Sequence, residues 1–185
     1  MLTGPPLLEA LTHRVTSRPV PAMFFRGTPL AYAADPLGRN RGRSSPIAAG
    51  RFNLLGGTRV LYLGETHQTC AAESQAVGGA SFAIAIIPVQ VRLQAVIDLR
   101  DAETLDVLEL EPRELALNFR LSRQPTPTQL LGEACAECGA IDGIFYASLT
   151  PAGGLCLAVL ESNLRAGVTS LVVSDLRTKL ADQLP

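Results

Sequence analysis

The apolar residues of this chain occur mostly in short runs separated by Gly, Pro and other turn residues, and this spacing strongly constrains the fold. GIFYASL and GLCLAVLES, for example, are two β-type runs on either side of the turn Pro151-Ala-Gly-Gly. Runs of this length are typical of strands, and few segments have helical periodicity. Because strands and helices do not strictly alternate, we predict an α+β fold, a single domain of short mixed strands with flanking helices.

The same reading predicts the order of the elements. A short helix at PLLEALTHR precedes a strand at MFFRGT. RFNLL and TRVLYLG are expected to form a hairpin around Gly56-Gly57, and Thr66 has N-cap chemistry for a helix at HQTCAAESQAV. The remaining predictions are separate strands at SFAIAIIPVQV and LQAVIDL, helices at 108–117 and 128–139, a strand at SLVVSDLR, and a short helix in the tail TKLADQLP.

Length and charge narrow the class of protein. The chain has 185 residues, 47% of them hydrophobic, which suits one globular domain over 1–185. Its 16 basic and 17 acidic residues nearly cancel, so we expect no direct binding of nucleic acid by charge alone. The longest apolar run, AIAIIPVQV, is too short to span a bilayer, and the N-terminus lacks a secretory signal. We therefore expect a soluble, cytoplasmic protein without membrane contact.

The cysteines do not predict a metal site. Cys135 and Cys138 form a C-x-x-C pair, but a zinc site needs two further ligands at suitable spacing. The two histidines, His13 and His67, do not lie near a second ligand pair in the sequence. We interpret the cysteines as small apolar helix residues, and in the cytosol we expect no structural disulfide.

Four side chains between the first strand and the first long helix could share a cleft. Arg26 and Arg51 offer planar guanidinium groups that suit phosphate or carboxylate. Tyr62 offers a flat ring and a hydroxyl from within an apolar strand. Glu73 lies at the margin of the helix's apolar face and could place a carboxylate in a pocket. The residues alone predict a cleft for an anionic ligand, although each also has a purely structural interpretation.

The sequence around these residues resembles the RES family of toxin domains from bacterial toxin–antitoxin pairs. The matching features are FRG at 25–27, GRFN at 50–53, and LYLGETHQTCAAE at 61–73, in the family's order and spacing. The resemblance extends less tightly through GIFYASL and GLCLAVLES and covers a core of about 22–165. Phe52 stands where the family usually has Trp.

This resemblance implies a fold like that of ADP-ribosyltransferases and a toxin enzyme that acts on NAD. Such domains break the nicotinamide–ribose bond, with phosphate or water as acceptor in an NAD phosphorylase or NAD glycohydrolase, or with a protein acceptor in a transferase. NAD would be a substrate, and no prosthetic group is implied. The resemblance also implies a cognate antitoxin, typically a helix-turn-helix DNA-binding protein that covers the cleft.

The implied chemistry gives each residue an expected role. Arg26 and Arg51 would hold the pyrophosphate, Tyr62 would stack on nicotinamide, and Glu73 would stabilise the positive charge that develops on the ribose. Arg26, Tyr62 and Glu73 are therefore the expected catalytic residues. The expected substrate-binding residues also include Phe52 and Asn53, together with the family's hydroxyl position, for which Ser148 is preferred and Thr126 is the alternative.

Two matters stay open at this level. The sequence does not separate phosphate, water and protein acceptors, nor an enzyme from a non-enzymatic module that binds nucleotides or a partner. Arg39, Arg41 and Arg43 could contact phosphate, but we interpret them as a solvated loop.

Overall fold

The computed structural model describes residues 1–30, 33, 48–78, 83–174 and 181–184. Within those ranges a seven-stranded sheet with flanking helices confirms the predicted mixed α+β class. Arg39, Arg41 and Arg43 lie outside the described residues. The helices are α1 (Gly4–Glu9), continued by a π-helical turn over Ala10–Arg14, α2 (His67–Gly78), α3 (Ala102–Val107), α4 (Pro112–Leu115) and α5 (Pro127–Cys138).

The strands are β1 (Arg18–Pro29), β2 (Val60–Gly64), β3 (Ile84–Asp98), β4 (Gly143–Ala147), β5 (Leu155–Leu160), β6 (Ser170–Ser174) and β7 (Ala181–Leu184). Their order in the sheet is β1-β2-β5-β4-β3-β6-β7. A second pairing, between β1 and β3, closes the first five of these strands into a ring. Most neighbours are antiparallel, whereas β3 and β4 run parallel.

Several local predictions are confirmed. Helix α5 begins and ends close to the predicted positions, because Thr126 caps its first turn and Gly139 adopts a left-handed conformation, with φ of 65°, after its last. The Thr66 hydroxyl accepts a hydrogen bond of 3.0 Å from the Thr69 amide at the start of α2. Strands β4 and β5 pair across the expected turn after Ala147.

The predicted hairpin of RFNLL with TRVLYLG is wrong. Residues 50–53 form a tight turn in which the Gly50 amide donates to the Asn53 carbonyl at 3.1 Å. Strand β2 pairs along its length with β5 instead, from Val60 opposite Leu160 to Gly64 opposite Cys156. A distant apolar strand is thus the partner of β2, which a local turn pattern cannot reveal.

Three further element predictions need correction. The two strands expected between 81 and 99 are one strand, β3. Pro88 is tolerated there because the described pairing with β6 begins only at Val89, so one edge of β3 needs no N–H at Pro88. The helix expected at 108–117 is only the short α4, and α3 lies before it, where no helix was predicted. The tail, expected to be helical, contains β7, which pairs with β6.

The core has two layers. One layer consists of strand side chains that face one another within the ring, including Phe24, Leu63, Val91, Phe145 and Leu157. The other fills the space between the sheet and the helices α1 and α5, where Leu7, Leu11 and Leu131 contact Ile97 and Ile144. The helix α5 is therefore fixed against the sheet by burial, and this helix later proves to support the candidate site. No helix among the described residues is long and apolar enough to cross a bilayer.

Candidate functional site

The site begins where β1 and β2 part. Among the described residues these strands share the single register pair Phe25 and Gly64, after which they diverge. The half-buried Arg26 bridges the gap, because its Nη1 donates a 2.9 Å hydrogen bond to the carbonyl of Tyr62. A strand edge that would otherwise be paired by backbone is thus occupied by a guanidinium group. The sequence prediction that Arg26 and Tyr62 lie together holds in the structure.

The turn that carries Arg51 is built around the Tyr62 hydroxyl. This hydroxyl accepts a 2.8 Å hydrogen bond from the Phe52 amide and donates one of 2.9 Å to Asn53 Oδ1. A Cβ added at Gly50 would lie 2.5 Å from the same hydroxyl and 2.6 Å from Asn53 Oδ1, so only glycine fits there. Burial raises the pKa of Tyr62 well above its usual value, although the hydrogen bond from Phe52 and the charges of Arg51 and Arg26 act in the opposite direction. The phenol therefore stays neutral and fixes the turn.

Phe52 and Asn53 are buried supports of this turn. The Phe52 side chain is fully buried, and its ring lies 5.0 Å from the ring of Tyr146. Asn53 is likewise fully buried, and its Nδ2 donates to the carbonyls of Ala48 and Leu54 at 2.9 and 3.2 Å. Both residues were predicted to contact the substrate, but in the structure their side chains face the protein interior.

Arg51 projects from the turn over Tyr146, with its guanidinium carbon 5.1 Å from the ring centroid. Such a contact holds a guanidinium group flat against an aromatic face. Tyr146 is almost wholly buried, and its pKa is raised well above the usual value. Burial is the main cause, the nearby groups of Cys156, Tyr62 and Glu73 add to it, and the charge of Arg51 opposes it. Tyr146 therefore feels both the negative charge of Glu73 and the positive charge of Arg51.

Glu73 reaches this centre from α2. Its Oε1 accepts a 2.6 Å hydrogen bond from the Ser148 hydroxyl, which follows β4. Ser148 is in turn held by Thr150, whose hydroxyl lies 2.8 Å away and whose amide donates to Ser148 Oγ at 3.2 Å. The carboxylate is half-buried and its direction is fixed by a neutral donor. Beneath it, burial and the charge of Glu73 raise the pKa of the Cys156 thiol to about 12.

The other candidate hydroxyl, Thr126, has a structural position. It is buried, caps α5 by accepting from the Gln129 amide at 3.4 Å, and its own amide donates to Gln129 Oε1 at 3.0 Å. Of the two hydroxyls considered from sequence, Ser148 lies next to Glu73 and Thr126 forms a capping box.

Sequence reasoning did not single out Tyr146, Gln129 or Glu133. Tyr146 had one available signal, since it is an aromatic residue with a polar end inside an apolar strand, as Tyr62 is. Gln129 and Glu133 are four residues apart in a helix, which places them on one face, but no local pattern reveals that this face meets the Arg51 turn.

The arrangement combines a cationic rim with one oriented carboxylate. Arg26 and Arg51 supply guanidinium groups that can bind phosphate oxygens. Glu73 supplies negative charge, and it and Arg51 both act electrostatically on Tyr146. A ligand that carries both anionic and cationic parts would match such a surface. Among the described residues no cluster of His, Cys, Asp and Glu could hold a metal ion.

The fold is an α+β domain of a kind also found in a known toxin–antitoxin complex. A chain in the crystal structure of the M. tuberculosis MbcT–MbcA toxin–antitoxin complex is similar, with a TM-score of 0.65 and 20% sequence identity over 91% of this chain and 90% of that chain. The RES domain model matches residues 23–181, and the chain belongs to the RES-domain family. A comparison with curated proteins gave no significant match.

Proposed function

We propose that this chain cleaves the bond between nicotinamide and ribose in NAD, with phosphate or water as the acceptor. The observation that carries the proposal is the 2.6 Å hydrogen bond by which Ser148 orients the Glu73 carboxylate. Glu73 and Arg51 both act electrostatically on the buried Tyr146, whose ring Arg51 covers. An anion fixed in this way is suited to positive charge that develops during a reaction. Membership of the RES-domain family supports the same assignment.

The reaction places different demands on the two sides of the site. On one side, Arg51 and Arg26 would bind the oxygens of the pyrophosphate through charge-assisted hydrogen bonds. On the other side, the bond between ribose C1′ and the nicotinamide nitrogen breaks, and its electron pair leaves with nicotinamide. The oxocarbenium-like ribose is stabilised by Glu73, and an oxygen of phosphate or water then bonds to C1′. When the acceptor is water, the attacking water releases one proton to solvent. The products are nicotinamide with either ADP-ribose 1-phosphate or ADP-ribose.

Tyr62 has a different role in this proposal from the stacking on nicotinamide that the family resemblance implied. Its hydroxyl is occupied by the Phe52 amide and Asn53, so its role in the site is to hold the turn of Arg51. Stacking of its ring on nicotinamide stays a prediction from the family resemblance. Phe52, Asn53 and Thr126 act as supports because their side chains are buried.

A test of the enzymatic proposal is to incubate the purified protein with NAD, with and without phosphate, and to identify the products by mass. ADP-ribose 1-phosphate indicates phosphorolysis, ADP-ribose indicates hydrolysis, and a mass gain on a protein indicates ADP-ribosyl transfer. Glu73→Gln should lower kcat by about 10²–10³-fold while NAD binding is retained. The exposed Glu9, changed to Gln, is the matched control. Unchanged NAD in every reaction would refute the enzymatic proposal and favour a binding module.

We also propose that a cognate antitoxin of the helix-turn-helix type covers this cleft and handles DNA. Two observations support a protein partner: the family assignment, and a similar fold in a structure described as a toxin–antitoxin complex. The cationic rim suits an acidic or carboxylate-ended inhibitory segment. Co-expression with the product of the neighbouring gene should suppress NAD loss in the cell. Undiminished NAD loss in the presence of a soluble partner would refute the pairing.

A further inference from the structure

We infer that Glu133 and Gln129 of α5 are positioning residues that set Arg51 over Tyr146 and so determine how tightly the site binds its anionic ligand. The identity of that ligand as NAD rests on the proposed function, whereas the positioning role rests on the contacts of α5 with the turn. We call residues 50–58 the Arg51 turn.

Glu133 fixes the far end of the Arg51 turn. Its Oε1 accepts hydrogen bonds from the amides of Leu54 and Thr58 at 3.0 and 3.1 Å, and its Oε2 accepts from Thr58 at 3.0 Å. A carboxylate that accepts bonds from backbone amides forms charge-assisted bonds, which are stronger than neutral ones. The chain also passes so close to this carboxylate at Gly57 that a Cβ there would collide with it. One side chain thus closes the loop from 54 to 58.

Gln129 fixes the near end, on either side of Arg51 itself. Its Nε2 donates to the carbonyls of Gly50 and Asn53, at 3.1 and 3.2 Å. Its Oε1 is held by the capping box of Thr126, so the amide cannot rotate without breaking the helix cap. The Arg51 turn is therefore bound at both ends by one rigid helix.

The packing between these contacts leaves no room for the turn to move closer to α5. Gly132 lies between Gln129 and Glu133 on α5, and a Cβ at Gly132 would lie 2.6 Å from the carbonyl carbon of Phe52. The backbone of the turn thus rests directly on the helix. Because Arg51 is the turn residue whose guanidinium group contacts Tyr146, the height of that group above the site is set by α5.

The test compares Glu133→Gln with Glu137→Gln. Glu137 is exposed and lies one helical turn further along α5, so the second variant makes the same chemical change away from the Arg51 turn. Glu133→Gln should speed hydrogen exchange of the backbone amides of Leu54 and Thr58 by at least about tenfold. The reason is that the Gln side chain has an NH2 donor where Glu133 has its second acceptor oxygen. It should also raise the KM for NAD about tenfold with kcat changed less than about twofold. Glu137→Gln should change neither quantity.

A double-mutant cycle with Arg51→Ala separates positioning from general stabilisation. If Glu133 acts through Arg51, Glu133→Gln in the Arg51→Ala background should raise KM by less than about twofold. An equal increase in both backgrounds would overturn the inference, as would unchanged exchange of Leu54 and Thr58. A loss of kcat alone, with a lower melting temperature, would indicate a merely structural role and would also overturn it.

One readout does not depend on turnover. The Tyr146 ring should shift the NMR resonances of the Arg51 side chain, and Glu133→Gln should move them towards solvent values. If the wild type does not consume NAD, the proposed function fails while this shift still decides the positioning role. An Arg51 spectrum that is unchanged in Glu133→Gln would overturn the inference in either case.

Discussion

Replacing Tyr62 with Phe separates the two possible roles of this residue, since the variant keeps the ring and removes only the hydroxyl. In the structure that hydroxyl accepts from the Phe52 amide at 2.8 Å and donates to Asn53 Oδ1 at 2.9 Å. Both partners belong to fully buried residues. If Tyr62 acted only by stacking, the variant would be neutral. We expect it to be strongly destabilising.

The magnitude follows from the groups left behind. A buried donor or acceptor without its partner costs about 1–3 kcal/mol. Loss of the Tyr62 hydroxyl leaves one of each, so the free energy of unfolding should fall by about 3 kcal/mol. For a domain of this length about 3 kcal/mol corresponds to a melting temperature lower by roughly 6–12 °C. The KM for NAD should rise as well, because Arg51 lies in the loosened turn.

The assay is urea unfolding at neutral pH, followed by NAD kinetics under conditions where the variant is fully folded. Tyr146→Phe is the matched control, since it also removes a buried phenol hydroxyl. The interaction partner of that hydroxyl is the Cys156 sulfur, a weak acceptor, so the expected cost is below about 1 kcal/mol. Equal effects of the two variants, or a cost below about 1 kcal/mol for Tyr62→Phe, would refute the reasoning.

Three other predictions concern stability. Asp142→Ala should lower the free energy of unfolding by about 3 kcal/mol in urea titration, because the amides of Gln94 and Ala95 lose their buried charged acceptor. Its ion-pair partner Arg165 is exposed and stays solvated, and a loss below about 1 kcal/mol would contradict this prediction. Gly132→Ala should also destabilise, although alanine favours helices, since its Cβ would collide with the turn backbone; a gain in melting temperature would argue against the contact. The folded-state pKa of Cys156 is about 12, so the unfolded chain loses this proton first as pH rises. Stability should therefore fall by roughly 1–2 kcal/mol between pH 8 and 10 from this thiol alone, and Cys156→Ala should flatten that part of the profile in parallel urea titrations.

The elements predicted most accurately are those whose ends are marked by capping or turn residues in the local sequence. The ends of α5 could be read because Thr126, Pro127 and Gly139 act on neighbouring backbone groups. The turn between β4 and β5 could be read for the same reason. RFNLL failed because an apolar run beside Gly56-Gly57 resembles a strand, whereas the partner that decides the pairing of β2 is β5, about a hundred residues away.

The residues of the candidate site likewise differ in whether the local sequence reveals their position. The sequence could associate Arg26, Arg51, Tyr62 and Glu73 because they lie within one segment that resembles the RES family. The support from α5 was missed because the local sequence around Gln129 and Glu133 does not indicate which loop packs on that face of the helix. Phe52 and Asn53 lie in the turn that carries Arg51, but both are fully buried, and burial depends on the whole fold rather than on the local sequence.

The pairing of β2 with β5 also bears on when this protein can first acquire a working cleft during its synthesis. Val60 is opposite Leu160, and the hydroxyl that orients Glu73 belongs to Ser148. A nascent chain that has emerged only as far as α5 already contains both arginines, yet its second strand still lacks a partner and its acid still lacks an orienting donor. Ribosomal products that terminate before β5 would thus lack the assembled site, and any partner that recognises the assembled site could bind only when translation is almost finished.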